Sequence, residues 1–226
     1  MISVIIPALN AEAGLASSLA ALIPGVVSGL IKDVVVVDGG STDQTAAIAD
    51  DAGCKFIHAP PGRGPQLAQG AAAARGEWLL FLHADTALSG EWHKEVGHFI
   101  GQQDARAYAG VFRFALDDFR PQARRLEKWV RWRCALFALP YGDQGLLIHR
   151  RLYDALGGYA CIPLMEDVDL IRRIGRKRLI YFRSSAITSP ARYVAQGYLR
   201  RSLRNFGCLS LYFLGAPPRY IARLYG

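Results

Sequence analysis

Acidic residues placed at the ends of apolar runs are where this sequence can do chemistry. Asp85 follows Leu79-Leu80-Phe81-Leu82-His83-Ala84, a run that reads as a buried parallel strand, and ligands of open α/β sheets bind beyond the carboxyl ends of such strands. Asp85 is therefore a candidate ligand for a divalent metal, although Asp85-Thr86 would also serve merely to start a loop. Asp38 closes a second apolar run, Asp33 to Val37, and opens into Gly39-Gly40-Ser41-Thr42-Asp43-Gln44. Its two glycines give a sharp turn, Ser41 and Gln44 have the spacing of a capping box, and the helix start beyond leaves unpaired amides that can meet a ligand. Arg63, in the Pro- and Gly-rich stretch 59–65, either meets a phosphate or points into water. Glu166-Asp167-Val168-Asp169 occupies a helix start, where the dipole favours carboxylates; for Glu166 and Asp169 that placement is explanation enough. Tyr141-Gly142-Asp143-Gln144 is, physically, a good tight turn.

The elements that must position these groups follow in order. Ile2 to Ile6 reads as a first strand, with Asn10 suited to cap a helix over Glu12 to Leu22 that Pro24 and Gly25 end. Asp33 to Val37 is a second strand, followed by a helix from Thr42 to about Ala52, a third strand at Cys54 to His58 and an alanine-rich helix from Gln66 to Arg75. Three β-α units before Asp85 indicate an α/β, doubly wound, mostly parallel sheet with helices on both faces. Right-handed crossovers bring the ends after Ile6, Val37 and Leu82 to one edge. Beyond it the pattern predicts a helix near Glu91 to Gly101, strands at Arg106 to Leu116, Leu146 to His149 and Leu179 to Arg183, and a helix over Arg120 to Leu139.

With 226 residues and 51% hydrophobic composition the chain can bury a sizeable core as one domain. Its four cysteines, at 54, 134, 161 and 208, form no close pair, so a reduced, cytosolic thiol state is the expectation. Met1 to Pro7 lacks a basic region and meets proline too early for a signal peptide. No apolar stretch approaches the roughly 20 residues that span a bilayer. The net charge of +8 is uneven: residues 170–226 hold twelve Lys and Arg and no Asp or Glu, which leaves residues 1–169 four charges negative. One basic face against an acidic body suits an anionic partner, such as phosphates or an acidic membrane surface. Electrostatic nucleic-acid binding would need a groove-entering motif or a stacking platform, and neither is recognisable.

Four stretches together carry a specific resemblance: Ser3-Val4-Ile5-Ile6-Pro7-Ala8-Leu9-Asn10, Val37-Asp38-Gly39-Gly40-Ser41-Thr42-Asp43, Ala74-Arg75-Gly76-Glu77 with Phe81-Leu82-His83-Ala84-Asp85, and Glu166-Asp167-Val168-Asp169-Leu170. In order and spacing the chain resembles a family 2 glycosyltransferase of the GT-A, Rossmann-like fold over residues 1 to about 190. It is most similar to a small-protein branch with His-Ala-Asp-Thr and Tyr-Gly-Asp-Gln-Gly strings. The resemblance implies a GT-A domain at 1–190 and a basic amphipathic segment at 191–226 that is not an independent domain. It implies an inverting, metal-dependent transfer of a sugar from a UDP- or GDP-type nucleotide-diphosphate sugar to a hydroxyl acceptor. A cation bridging the diphosphate, Mg²⁺ or Mn²⁺, would be held by Asp85. Pro7, Ala8, Asn10, Glu12, Asp38, Gly39, Arg63, Gln66, His83, Ala84 and Asp85 would form the donor side, and Tyr141, Gly142, Asp143 and Gln144 the acceptor side. Asp167 would take the acceptor's proton, with Glu166 beside it.

The sequence departs from the family's pattern in places. The usual Asp-x-Asp is His83-Ala84-Asp85, so the first carboxylate is missing and His83 touches the sugar, the metal or neither. Leu67-Ala68-Gln69 replaces a common Ala-Arg-Asn, which leaves Arg63 to supply positive charge, and no histidine follows His149. A non-catalytic nucleotide-sugar binding protein is the competing reading. A nucleotidylyltransferase would need a glycine-rich, basic loop after the first strand, which Pro7 to Glu12 is not. The tail interleaves Arg192, Arg200, Arg201, Arg204, Arg219 and Arg223 with aromatic and aliphatic residues. It either lies in a membrane interface or packs on the domain, and the basic, aromatic Arg120–Leu139 helix is read the same two ways. If it lies on a membrane, the enzyme is cytoplasmic but peripheral on the inner face, and its acceptor is lipid-linked or amphipathic.

Overall fold

The β-branched runs of the first 40 residues leave little choice of structure: stiff χ1 angles and apolar side chains on both faces favour strands buried on both sides. The computed structural model describes residues 1–137, 139–140 and 142–225. β1 (Ile2–Ala8) and β2 (Ile31–Asp38) pair in parallel with Ala8 opposite Asp38, and β3 (Lys55–His58) and β4 (Trp78–Phe81) extend the parallel sheet on either side. The connecting helices are α1 (Glu12–Ala20), α2 (Ile23–Val27), α3 (Thr45–Asp51) and α4 (Arg63–Ala73). The ends of β1, β2 and β4 therefore share one edge.

The second half adds mixed pairing. β5 (Thr86–Leu88), α5 (Trp92–Ile100), β6 (Ala109–Leu116), α6 (Pro121–Phe137), β7 (Leu146–His149), α7 (Arg150–Ala155), α8 (Glu166–Ile174) and β8 (Leu179–Thr188) follow. The sheet order is β3-β2-β1-β4-β7-β6-β8-β5, with β7 antiparallel to β4 and β6, and β5 antiparallel to β8. One apolar cluster lies on each face. Trp92 is fully buried in the first with its indole N–H donated to Ala21 O at 3.0 Å, and each such large apolar side chain contributes about 1.5–3 kcal/mol. The basic tail forms α9 (Ala191–Gln196), α10 (Tyr198–Phe213) and α11 (Pro218–Tyr225). Leu209 of α10 joins the second cluster beside α8, and Ile221 is fully buried. Among the described residues no helix is long and apolar enough to cross a membrane, and all four cysteines are free.

Several local expectations are corrected. Asn10 does not cap α1: it adopts a left-handed φ of 49° and Ala11 takes the cap position without a side-chain bond. Pro24 and Gly25 do not end that helix but lie inside the short α2, where proline is tolerated in the first turn. No Ser41–Gln44 capping box forms, because Ser41 turns back to Asp38 and α3 starts later, at Thr45, with Asp43 accepting from Thr45 N–H. α4 begins at Arg63 rather than Gln66, which moves the arginine from a loop into a first helical turn. β5 had no signal of its own; its three residues pair only with the end of β8.

Candidate active site

At the edge where β1 and β2 end, two loops brace each other through side chains. Asp38, 2% exposed at the end of β2, accepts from Gly40 N–H at 2.9 Å and Ser41 N–H at 3.0 Å. Burial works against its charge, but the bonds from Ser41 and Gly40, with His58 3.4 Å away, outweigh it and hold the carboxyl below its ordinary range. Asn10 Oδ1 accepts from Thr42 N–H at 2.9 Å, and Glu12 accepts from Gln44 N–H at 3.0 Å. Gln66 is buried, with its amide nitrogen donating to Ala8 O and Val37 O, both at 2.8 Å, against the backbone of Gly39. Pro7, Ala8, Asp38 and Gly39 thus form the edge itself, while Asn10, Glu12 and Gln66 hold it in place.

The start of α8 is organised by Arg63. Gly64 lies so close to the 160–162 backbone that a Cβ would come within 2.4 Å of Ala160 O, and this approach aims the first turn of α4 at the start of α8. Arg63 Nη2 donates to Asp167 Oδ2 at 2.8 Å, and Nε lies 3.2 Å from Glu166 Oε1. Burial disfavours the guanidinium's charge, but Asp167 and then Glu166 outweigh it and push its pKa up. Glu166, 1% exposed, is pushed up to about 7 by burial, against the pull of Arg63 and with the push of Asp167. Met165, in a left-handed conformation, sets the sharp entry to this helix.

His83 faces the same guanidinium, with Nε2 2.5 Å from Arg63 Nη2. Burial, then Arg63 and Arg192, depress its pKa well below the ordinary value, so it is neutral, accepting at Nε2 and carrying its proton on Nδ1. That lone pair is not available to a metal. Asp85 differs: its carboxylate has no ion-pair partner among the described residues. It is pinned by backbone instead, with Ser189 N–H donating to Asp85 O at 3.0 Å and Gly14 packed where a Cβ would stand 2.9 Å from Asp85 Cα. No group of three or more His, Cys, Asp or Glu among the described residues could hold a metal ion. Asp85 alone fits a hard cation whose other ligands are phosphate oxygens and water.

Of the acceptor-side string, Tyr141 lies outside the described residues, and Gly142 opens a single helical turn to Gln144. Gln144 is buried with its amide nitrogen on Phe112 O at 3.0 Å and its oxygen accepting from Cys134 Sγ at 3.2 Å, so it builds the core rather than the site. Asp143 faces inward. Burial pushes its carboxyl up to about 6, with Asp167 and Asp85 adding to the push and Arg133 and Arg63 opposing it, and its Oδ1 has no hydrogen-bond partner.

A cavity of about 140 Å³ joins these groups, with Arg63, His83, Asp85, Asp143, Glu166 and Asp167 in its lining. Arg192, Tyr193, Arg201, Asn205 and Tyr225, from α9 to α11, line the same cavity. The sequence reading placed these tail residues with the membrane or domain surface and missed their turn toward the site. The available signal was helical spacing, since Arg201, Asn205 and Cys208 recur on one face of α10.

The glycosyl transferase family 2 model matches residues 3–158. The chain belongs to glycosyl transferase family 2. Within that family it is 34% identical over 93 residues to a glucosyl-3-phosphoglycerate synthase of Mycobacterium tuberculosis, a match covering 37% of this chain and 28% of the relative. It is 36% identical over 118 residues to a PGL/p-HBAD biosynthesis glycosyltransferase of Mycobacterium bovis, covering 46% and 43%. The chain thus spans less than half the length of either relative. A solved structure of the tuberculosis synthase with Mn²⁺, UDP-glucose and phosphoglyceric acid superposes with a TM-score of 0.62 at 21% identity, covering 96% of this chain and 80% of that one. The shared fold is GT-A.

Proposed function

We propose that this family 2 member transfers a sugar, with inversion, from a UDP- or GDP-type nucleotide-diphosphate sugar to a hydroxyl acceptor, using Mg²⁺ or Mn²⁺ held through Asp85. The observation that supports it most is the contrast of two carboxylates in one cleft: Asp85 without an ion pair, and Asp167 fixed by Arg63. Bound at Asp85, a divalent ion would neutralise the departing diphosphate. The Mn²⁺ and UDP-glucose in the mycobacterial synthase support the same donor chemistry here.

The residues divide the work as follows. The β1 and β2 ends, with Pro7, Ala8, Asp38 and Gly39, wall the base and ribose. The acceptor oxygen attacks the anomeric carbon from the face opposite the diphosphate, and its proton passes to Asp167. The bond from that carbon to the diphosphate oxygen breaks, and its electron pair leaves with the nucleotide. Arg63 orients Asp167 and keeps His83 neutral, while its positive charge faces the leaving group. A likeness to the small-protein branch rests on the His83-Ala84-Asp85-Thr86 and 141–145 strings.

Incubation with a panel of nucleotide sugars and Mn²⁺, reading nucleotide release, tests the proposal. Slow hydrolysis of one donor supports an enzyme; saturable binding with no release under any condition returns the non-catalytic binding protein. A peripheral membrane position is a second part of the proposal. It is supported by an exposed face shared by α6 and α10, where Trp132 is 60% and Leu199 73% exposed beside several arginines. A lipid-linked or amphipathic acceptor would follow from it.

A further inference from the structure

The part of the cavity lining that α9 to α11 contribute is cationic, and Arg201 within it has no ion-pair partner among the described residues. Arg201 is 7% exposed, and its guanidinium lines the cavity with Nη1 on Gln196 Oε1 at 2.9 Å, Nη2 on Tyr225 Oη at 3.3 Å, and Nε without a partner. No carboxylate lies within ion-pair distance of it among the described residues. Arg204 donates to the same Gln196 Oε1 at 2.5 Å, and its Nε is also unpartnered. Two guanidinium groups thus converge on one neutral amide oxygen. Burying a charge without a counter-ion, next to a like charge, is among the costlier arrangements a fold can hold.

The neighbouring groups point the same way. Asn205 Oδ1 is buried without a partner, and since the amide's orientation is fixed only by its bonds, a half-turn presents its NH₂ to the cavity. Tyr193 lies near charges of both signs. Its hydroxyl, raised by burial, is pushed further by Asp143 and opposed by Arg201, while the Arg201 guanidinium lies 5.2 Å from its ring centre. One cavity lining therefore holds the carboxylates of Asp85, Asp143 and Asp167 together with Arg201 and Asn205, and Tyr193 feels both Asp143 and Arg201.

We propose that Arg201, with Asn205 and Tyr225, seats an anionic group of the acceptor, a phosphate or carboxylate, so that the acceptor's hydroxyl is held at the Asp167 end of the cavity. This deepens the glycosyltransferase reading and rests on it for the word acceptor, but the anion site itself is a property of α10 and α11. A planar guanidinium with free donors is the side chain best matched to either oxyanion. The acceptor is then a hydroxyl compound bearing an anionic group, either small and soluble or the headgroup of a lipid.

The test is calorimetric titration of the full chain, first filled with UDP and Mn²⁺ so that the donor side is occupied. Glycerol 3-phosphate and a short-chain phosphatidic acid are compared with glycerol. Binding of either phosphate, with glycerol at least tenfold weaker, is expected, and which of the two binds tells a soluble acceptor from a lipid one. Arg201→Gln should weaken that binding at least tenfold while UDP with Mn²⁺ still binds. Asn205→Asp, which places a carboxylate beside Arg201 without removing it, should do the same and serves if Arg201→Gln does not fold. The proposal is overturned if glycerol binds as well as the phosphates, if no phosphate binds, or if the substitutions weaken UDP with Mn²⁺ instead. Should UDP with Mn²⁺ fail to bind the unsubstituted protein, the donor reading fails, and the same titrations on the free protein still decide the anion site.

Discussion

Arg63 Nη2 donates to Asp167 Oδ2 across 2.8 Å, joining the first turn of α4 to the first turn of α8. Two segments a hundred residues apart in sequence are thereby locked at the point where the acceptor's proton would be taken. The same guanidinium touches His83 and approaches Glu166, so one side chain fixes the proposed base, sets the tautomer of the strand-end histidine and offsets a second buried carboxylate.

That geometry separates Asp167 from Glu166 in function. Asp167→Asn should keep binding nucleotide with Mn²⁺ and lose transfer by about 10² to 10⁴-fold, the usual scale for general-base catalysis. Glu166→Gln should be milder, because Glu166 is buried behind Arg63. Single-turnover rates on both variants check this, and equal, small losses would remove Asp167 from the role.

Asp85 carries the metal prediction. Without a cation, the diphosphate meets Asp85 and Asp143 in one cleft, and like charges at such range repel. Thermal melting with UDP should therefore show stabilisation that needs Mn²⁺ or Mg²⁺ and disappears in chelator. Asp85→Asn should abolish it. Equal stabilisation in chelator, together with an active variant, would overturn the assignment.

How much of this was legible in the sequence depended on the reach of each interaction. The strands ending at Ala8, Asp38 and Phe81 announced themselves because their side chains are apolar on both faces. Asp85 was identifiable because it closes such a run, and Asp167 through the match of its helix-start stretch to the family's motif. Arg63 looked like a loop residue, since what makes 63–65 helical is the close seat of Gly64 on residues 160–162, which no local pattern records. Asn10 and Ser41 followed the wrong local rule: Asn10 accepts from Thr42 N–H, 32 residues on, and Ser41 turns back to Asp38 while accepting from Asn10 N–H. The tail's inward face was hidden because Arg201, a charged residue, occupies the buried side of α10, while Leu199 and Leu203 occupy the exposed one.

Glu166 and Asp143 give stability a pH slope of known sign. Both carboxyls are raised in the folded chain, to about 7 and about 6, so the folded state binds more protons than the unfolded one above the ordinary carboxyl range. Their contribution is fully present below about pH 4 and is lost as pH rises through 6 to 7. Between pH 5.5 and 8 these two groups should lower the melting temperature, at about 2–4 °C for each kcal/mol, against the rise that the depressed His83 gives below about pH 6.5. Glu166→Gln should flatten the slope. A variant whose slope equals that of the parent would show that Glu166 ionises normally.

The outer face of the tail carries the last prediction. Trp129 and Phe206 meet edge-to-face across α6 and α10 with centroids 6.2 Å apart, and Leu203 and Leu214 are 61% and 83% exposed on the same helical tail. Arg131 and Arg200 are exposed on the same two helices, and each basic side chain near an anionic surface adds about 1 kcal/mol of attraction. The protein should float with anionic liposomes at low salt and less at high salt. Removing the tail is a poor test, since Leu209 and Ile221 are buried and their loss would damage the fold. Trp132→Ser with Leu203→Ser changes only exposed positions and should reduce flotation severalfold while leaving the melting temperature within about 2 °C, as expected for surface substitutions. Flotation that is absent in the parent protein, or unchanged in the double variant, would leave the arginines of this face in water.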